Sequence, residues 1–270
     1  MINQPEPVYS FTIPYYTTPN GDTDEIFVSE KTYEKYLMTM KKENTVFIHG
    51  LLHPLSSDYG DVTTTLFDQK KAIVVIGTLD LKEYTNELLD IAIAQELEKV
   101  LLLNKDEFFH FLYSDATPDT IQIFIDDIQQ TLTEIHIAKR LKKENYRIYE
   151  REALLAKELL ASAFHFDAIR GVSPYENEHA LYILTKMIYL AYVDDGLFQQ
   201  YKKKLKPHYP ALLNEVQLLL KMIMKLNLST TKGRERALMK IFKTLKYEKY
   251  LKKIDINDIR AFSLKIDSLG

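Results

Sequence analysis

Lys71-Ala72-Ile73-Val74-Val75-Ile76-Gly77 is an apolar, β-branched run closed by glycine, and Ile91-Ala92-Ile93-Ala94-Gln95-Glu96-Leu97-Glu98-Lys99 follows it with helical spacing. A short continuous apolar run ended by a turn residue reads as a buried strand. After Asp80, the apolar positions Leu89, Ile93, Leu97, Val100 and Leu101 fall on one face of a helix reaching about Leu103. A buried strand feeding such a helix is the nucleus of a mixed α/β part.

Upstream, Tyr9 to Tyr16 (YSFTIPYY) is β-branched and aromatic but interrupted by Pro14, which predicts an edge strand. Asn20-Gly21-Asp22 reads as a turn. The alternation of Asn20, Asp22 and Asp24 lacks the glycine and distal glutamate of a calcium loop. Ser29 is an expected N-cap for a helix from Glu30 to Lys41, Thr45 to Ile48 a short strand, and His53 to Asp61 a loop.

Downstream the pattern is helical. Asp119 opens a helix whose Ile121, Ile125, Ile128, Leu132 and Ile135 keep a period near 3.6. Further helices are expected from Tyr149 to about Phe166, up to Val193, from Pro207 and Pro210 to about Asn227, and through Leu238, Ile241, Phe242 and Leu245, with a last short one after Asp255. Gly171, Ser173 and Pro174 form a break, and Asp194-Asp195-Gly196 a turn. The expected fold class is therefore α+β, mainly helical. A small mixed α/β part over 1–146 precedes a helical bundle with a basic carboxy-terminal region over 147–270, and Gly171 marks a second place where the chain could divide.

Composition narrows the chemistry. The chain has 270 residues, 46% hydrophobic and 27% charged, which suffices for a sizeable core. With no cysteine, disulfides, thiol nucleophiles and thiolate zinc sites are excluded. No stretch nears the ~18 apolar residues of a membrane span. Met1 to Thr18 lacks a basic region followed by an apolar run, so a cytoplasmic location without a membrane partner is expected.

Charge is sharply divided. From Met1 to Ile135 there are 23 acids against 9 Lys/Arg, net −14; from His136 to Gly270 there are 15 against 26, net +11. Opposed fields either complement each other within the chain or steer partners to it.

His49-Gly50-Leu51-Leu52-His53 has the i, i+4 spacing of paired zinc ligands, and Asp58 or Asp61 could add a carboxylate. A strand precedes the pair, Gly50 lies inside it and Pro54 follows, which opposes helical geometry. His110, His136, His165, His179 and His208 are scattered, and His136 and His165 lie among apolar residues as core histidines do. No Gly-x-Ser-x-Gly elbow, phosphate loop or dinucleotide fingerprint occurs.

The helix around Glu96 resembles that of the ImmA/IrrE-like zincin peptidases, which commonly reads like Ile-Ala-His-Glu-Leu-Gly-His after a strand. Glu96 and Leu97 match; Gln95 and Lys99 stand where the two histidines would. A softer likeness lies in Ile135-His136 and in Leu141-Lys142-Lys143-Glu144-Asn145, so the resemblance covers roughly Lys70 to Tyr146. It implies a zincin-like fold that holds no metal, because glutamine binds zinc poorly and lysine brings a cation. Glu96 would be the vestigial base, Lys99 its ion-pair partner, and the protein a pseudo-peptidase of a bacterium or mobile element acting on a regulatory partner. Against this stands an ordinary amphipathic helix with Gln95, Glu96 and Lys99 facing water.

Lys202-Lys203-Lys204-Leu205-Lys206 is a compact cationic run, and Lys232 to Lys253 adds Arg234, Arg236, Lys240 and Lys243 among nine Lys/Arg, with Tyr247 and Tyr250 between them. These are the candidates for anion or nucleic-acid binding. The sequence thus supports a non-catalytic regulatory or protein-interaction protein without cofactors. A nucleic-acid binder using the basic helices and a metal-dependent hydrolase using His49, His53 and Asp58 are the alternatives.

Overall fold

In a computed structural model the described residues are 8–17, 21–43, 45–50, 63–68, 71–77, 85–104, 111–114, 116–149, 151–153 and 178–253. They form a mainly helical α+β structure, and their contacts divide the chain into two compact units. The first takes in Met1–Asp106 and regains Glu144–Arg151; the second takes in Glu107–Lys143 and Glu152–Ile256. The division expected at residue 146 therefore moves, and Gly171 lies outside the described residues.

The first unit is built on a five-stranded sheet. Its strands are β1 (Tyr9–Tyr16), β2 (Thr23–Ser29), β3 (Val46–Gly50), β4 (Thr63–Asp68) and β5 (Lys71–Gly77), in the order β2-β1-β3-β5-β4. β1 pairs with β2, and β4 with β5, antiparallel; β3 runs parallel to both β1 and β5. The expected edge strand β1 is thus interior. Its parallel pairing to β3 is made at Tyr16 opposite Ile48, beyond Pro14, so the missing N–H of proline interrupts no rung there.

Helices α1 (Glu30–Glu43) and α2 (Asn86–Asn104) pack together, α1 also on β1 and β2, and α2 on β2 and β4. Ile13, Ile26, Val28, Phe47, Val74 and Ile76 from the sheet meet Ile93 and Leu97 of α2 in one apolar cluster. Alternation places these strand residues on one face, as period-two geometry requires. Tyr33 and Tyr36 of α1 extend the cluster, with Tyr36 edge-on to Phe47.

The second unit carries the remaining elements. These are β6 (Phe111–Tyr113), α3 (Asp119–Lys143), α4 (Glu178–Val193), α5 (Asp195–Leu205), α6 (Pro210–Ile223), α7 (Thr231–Thr244), a 3₁₀ turn (Glu248–Tyr250) and β7 (Leu251–Lys253). α3 packs on α4 and α7, which is why it falls in the helical unit although it precedes residue 146. Phe124 of α3 stacks on Phe242 of α7, and Tyr247 stands edge-on to both. Asn145, at φ 63, adopts the left-handed conformation just past α3, as asparagine does at helix ends.

Asp194-Asp195-Gly196 is tighter than a turn. Asp194 Oδ1 accepts from Leu197 N at 3.0 Å and so caps α5, one residue after α4 ends. α6 opens with Pro210 at its first position, where a missing N–H costs nothing.

Candidate functional site

Helix α2 concentrates the buried polar side chains of the first unit. Asp90, Gln95, Glu96 and Glu98 are all buried, so the water-facing reading of Gln95 and Glu96 is corrected. The reason is that α2 is covered on several sides: strands lie against it and α1 packs alongside.

Buried charges must be compensated, and each acid here has a partner. Glu96 Oε1 accepts from Lys99 Nζ at 2.9 Å, one turn along the helix. Glu98 Oε1 lies 2.5 Å from Lys35 Nζ of α1, and the same ammonium reaches Glu144 Oε2 at 2.6 Å. Asp90 accepts from Ser29 N at 2.8 Å through Oδ1 and from Ser29 Oγ at 2.9 Å through Oδ2. Ser29 Oγ in turn meets Thr32 Oγ1, which meets Tyr146 OH at 3.0 Å. Ser29, read from sequence as a helix cap, is therefore also the clamp that holds Asp90.

Burial raises the Asp90 carboxyl above its ordinary pKa, and the bonds from Ser29 and Thr32 and the Lys31 charge pull back only in part. Burial likewise raises the Tyr146 phenol, which Lys31 caps from 4.4 Å above its ring. Because the folded state holds the Asp90 proton more tightly than the unfolded chain, its contribution falls as pH climbs from the unfolded carboxylate value of about 3.9 through the raised folded one, then levels off. Asp90→Asn keeps an acceptor for Ser29 N and removes the charge. Urea titrations at pH 4 and pH 7 should show the variant gaining stability relative to the parent as pH rises. A constant difference between the two pH values would refute this.

Among the described residues, no three His, Asp or Glu side chains converge as metal ligands would. His49 lies on β3, beside β5, where its backbone pairs with Ile76; His53 and Asp58 fall outside the described residues. His136 is buried on α3, and His208 follows α5.

The cationic candidates all lie in the second unit. Lys202, Lys203 and Lys204 occupy the last turn of α5, where they complement the negative end of the helix dipole. Lys203, Lys204 and Lys206 are exposed and Lys202 is half-buried; on α7, Arg236, Lys240 and Lys243 are exposed. None of Lys203, Lys204, Lys206, Arg236 and Lys243 pairs with an acid among the described residues.

Arg234 does not belong to this surface. It is 0% exposed, and its Nη1 donates to Leu228 O at 3.1 Å, fastening the turn between α6 and α7. A guanidinium enclosed in this way cannot reach a phosphate, so Arg234 is withdrawn as an anion-binding candidate. Its position in the first turn of α7 faces it inward, beside buried Ala237 and Leu238.

Within the second unit one stretch is strongly basic: from Gly196 to Lys253 there are 15 Lys/Arg and 3 acids (Glu215, Glu235 and Glu248). Among the described residues no helix is long and apolar enough to cross a membrane. Comparison with protein-family models, curated proteins and solved structures finds no match to the chain.

Proposed function

We propose that the chain is a non-catalytic protein-interaction protein, regulatory in role, whose basic helical unit engages an acidic partner protein. The observation that carries this reading is the basic stretch from Gly196 to Lys253, with 15 Lys/Arg against 3 acids, in which Lys203, Lys204, Lys206, Arg236 and Lys243 are exposed and pair with no acid among the described residues. Such a field speeds and selects oppositely charged partners. The first unit supports the non-catalytic part of the proposal, because the carboxylates of α2 are taken up by Lys99, Lys35 and Ser29. The Glu96–Lys99 pair also supports a peptidase-like helix closed by its own lysine, the pseudo-peptidase that the resemblance implies.

Lysine crosslinking in cells, followed by mass spectrometry, tests the proposal. The parent chain should yield a reproducible acidic protein joined through the second unit. Charge reversal at Lys203, Lys204 and Lys206 should lower its yield about tenfold, the equivalent of roughly 1.4 kcal/mol. Unchanged yield would refute the electrostatic basis.

The exposed lysines also favour nucleic acid as a second reading, and a mobility-shift titration separates the two. Phosphate binding by six to ten cations loses affinity by about 10³–10⁵ between 50 and 200 mM salt, and no shift at about 50 mM salt would end it. For the hydrolase alternative, elemental analysis of purified protein finding no zinc, iron or manganese would end it.

A further inference from the structure

We propose that the acidic partner of the basic unit is a second copy of this chain, whose helix α1 lies parallel along α7. This inference rests on the interaction reading above and names the partner and the surface it meets.

The two helices carry exposed seams of the same spacing. On α1 the residues at i, i+4, i+7 and i+11 are Glu30, Glu34, Leu37 and Lys41; on α7 they are Lys232, Arg236, Met239 and Lys243. Steps of four, three and four keep side chains within about 60° on one face, the spacing by which two helices mesh. All eight side chains are exposed, Leu37 at 43% and Met239 at 41%. Neither glutamate, and none of the three α7 cations, pairs with an opposite charge among the described residues.

Burial sorts the charges on both helices. By count Glu30, Lys31, Glu34 and Lys35 cancel. Lys35, however, is buried against Glu98, and Lys31 is half-buried over the Tyr146 ring and donates to Glu144 O and Asn145 O. Only the acids are left outward, and exposed Asp24 and Glu25 of β2 add to the same sign. On α7 the sorting leaves Arg234 inside and Lys232, Arg236 and Lys243 outside.

Register decides the orientation. Laid parallel, Glu30 meets Lys232, Glu34 meets Arg236 and Leu37 meets Met239. Lys41 against Lys243 repels, but at the end of the seam, where long side chains can swing into water. Laid antiparallel, Glu30 against Lys243 is the single ion pair, and Lys41 falls on Lys232. A phosphate backbone would use the three cations and gain nothing from Met239 between them. Since α1 and α7 are different surfaces, the contact is heterologous and either closes on itself or extends.

Sedimentation of the purified full chain over a concentration series tests this. At about 50 mM salt the parent should self-associate, and at about 500 mM association should weaken at least about tenfold as the exposed charges are screened. Glu34→Arg and Arg236→Glu should each weaken it about tenfold. The double variant Glu34→Arg/Arg236→Glu should return to within about threefold of the parent, because the pair is restored with its signs exchanged. Lys221→Glu, an equal charge change on an exposed cation of α6, should also stay within about threefold. Circular dichroism melts matching the parent establish that each variant folds. Lysine crosslinking of mixed isotope-labelled and unlabelled chains should join Lys41 of one copy to Lys243 of the other.

A chain that stays monomeric at about 50 mM salt overturns the proposal. So does a double variant no better than either single one, or equal weakening by Arg236→Glu and Lys221→Glu. The crosslinking in cells separates this inference from the wider reading. A different acidic protein captured by a monomeric chain sinks the second copy alone, whereas no partner of either kind sinks both.

Discussion

Replacing Lys35 with methionine is expected to destabilise the first unit by about 3–5 kcal/mol, the range for breaking a buried ion pair from one side. Its ammonium lies 2.5 Å from Glu98 Oε1 and 2.6 Å from Glu144 Oε2. Glu98 is 0% exposed, whereas the Glu144 side chain retains 37% exposure, so water can take over for Glu144 but cannot reach Glu98. Most of the loss is therefore the cost of a carboxylate left without its ammonium. Converting Glu98 as well, in Lys35→Met/Glu98→Leu, removes that charge and should restore most of the stability. Urea unfolding of the parent, both single variants and the double variant gives the coupling directly. Additive effects would mean that Lys35 and Glu98 do not depend on each other.

That ion pair also shows where sequence reading stops. The apolar run Lys71–Gly77 and the helical spacing after it were enough to place a buried strand and α2, because periodicity is a local signal. The same spacing could not reveal that α2 is enclosed on several sides. Gln95, Glu96 and Lys99 read as a solvent face, yet Gln95 and Glu96 are buried, and neighbouring Glu98 is met by Lys35, 63 residues earlier. Asp90 is similar: its clamp is Ser29, 61 residues away. Partners so distant leave no mark in a window of helical length.

The strands that sequence reading missed fail for a related reason. Thr23–Ser29 carries three polar residues before its apolar alternation starts, and Thr63–Asp68 opens with three threonines, so neither has the run that identifies β5. β7 is three residues long and is defined by its pairing with β6, 140 positions away. On the surface, counting Lys and Arg found the basic helices, yet could not separate Arg234 from Arg236. Two positions on a helix are 200° apart, which sends one inward to Leu228 O and the other to solvent.

The turn that Arg234 fastens carries the other large expected effect. A β-carbon at Gly233 would fall 1.7 Å from Asn227 O, 2.6 Å from Asn227 C and 2.9 Å from Thr230 Oγ1. Neither backbone atom can retreat cheaply, since Asn227 O already accepts from Thr230 N at 3.3 Å and from Thr230 Oγ1 at 3.1 Å. Thr230 Oγ1 is itself the cap of α7, accepting from Gly233 N at 3.1 Å. Gly233→Ala therefore has to push α7 off its own cap, and a loss of about 3 kcal/mol or more is expected, the upper end for overpacking. Gly196→Ala is the matched control: there the β-carbon meets only Asp194 Oδ1, at 3.2 Å, so the capping side chain has to give by only a few tenths of an ångström while keeping its bond from Leu197 N. Alanine's better helix propensity, worth up to about 1 kcal/mol, offsets that contact. Urea unfolding followed by circular dichroism should thus separate the two alanine variants by at least about 2 kcal/mol. Equal stability of the two variants would show that α7 does not approach Asn227 so closely.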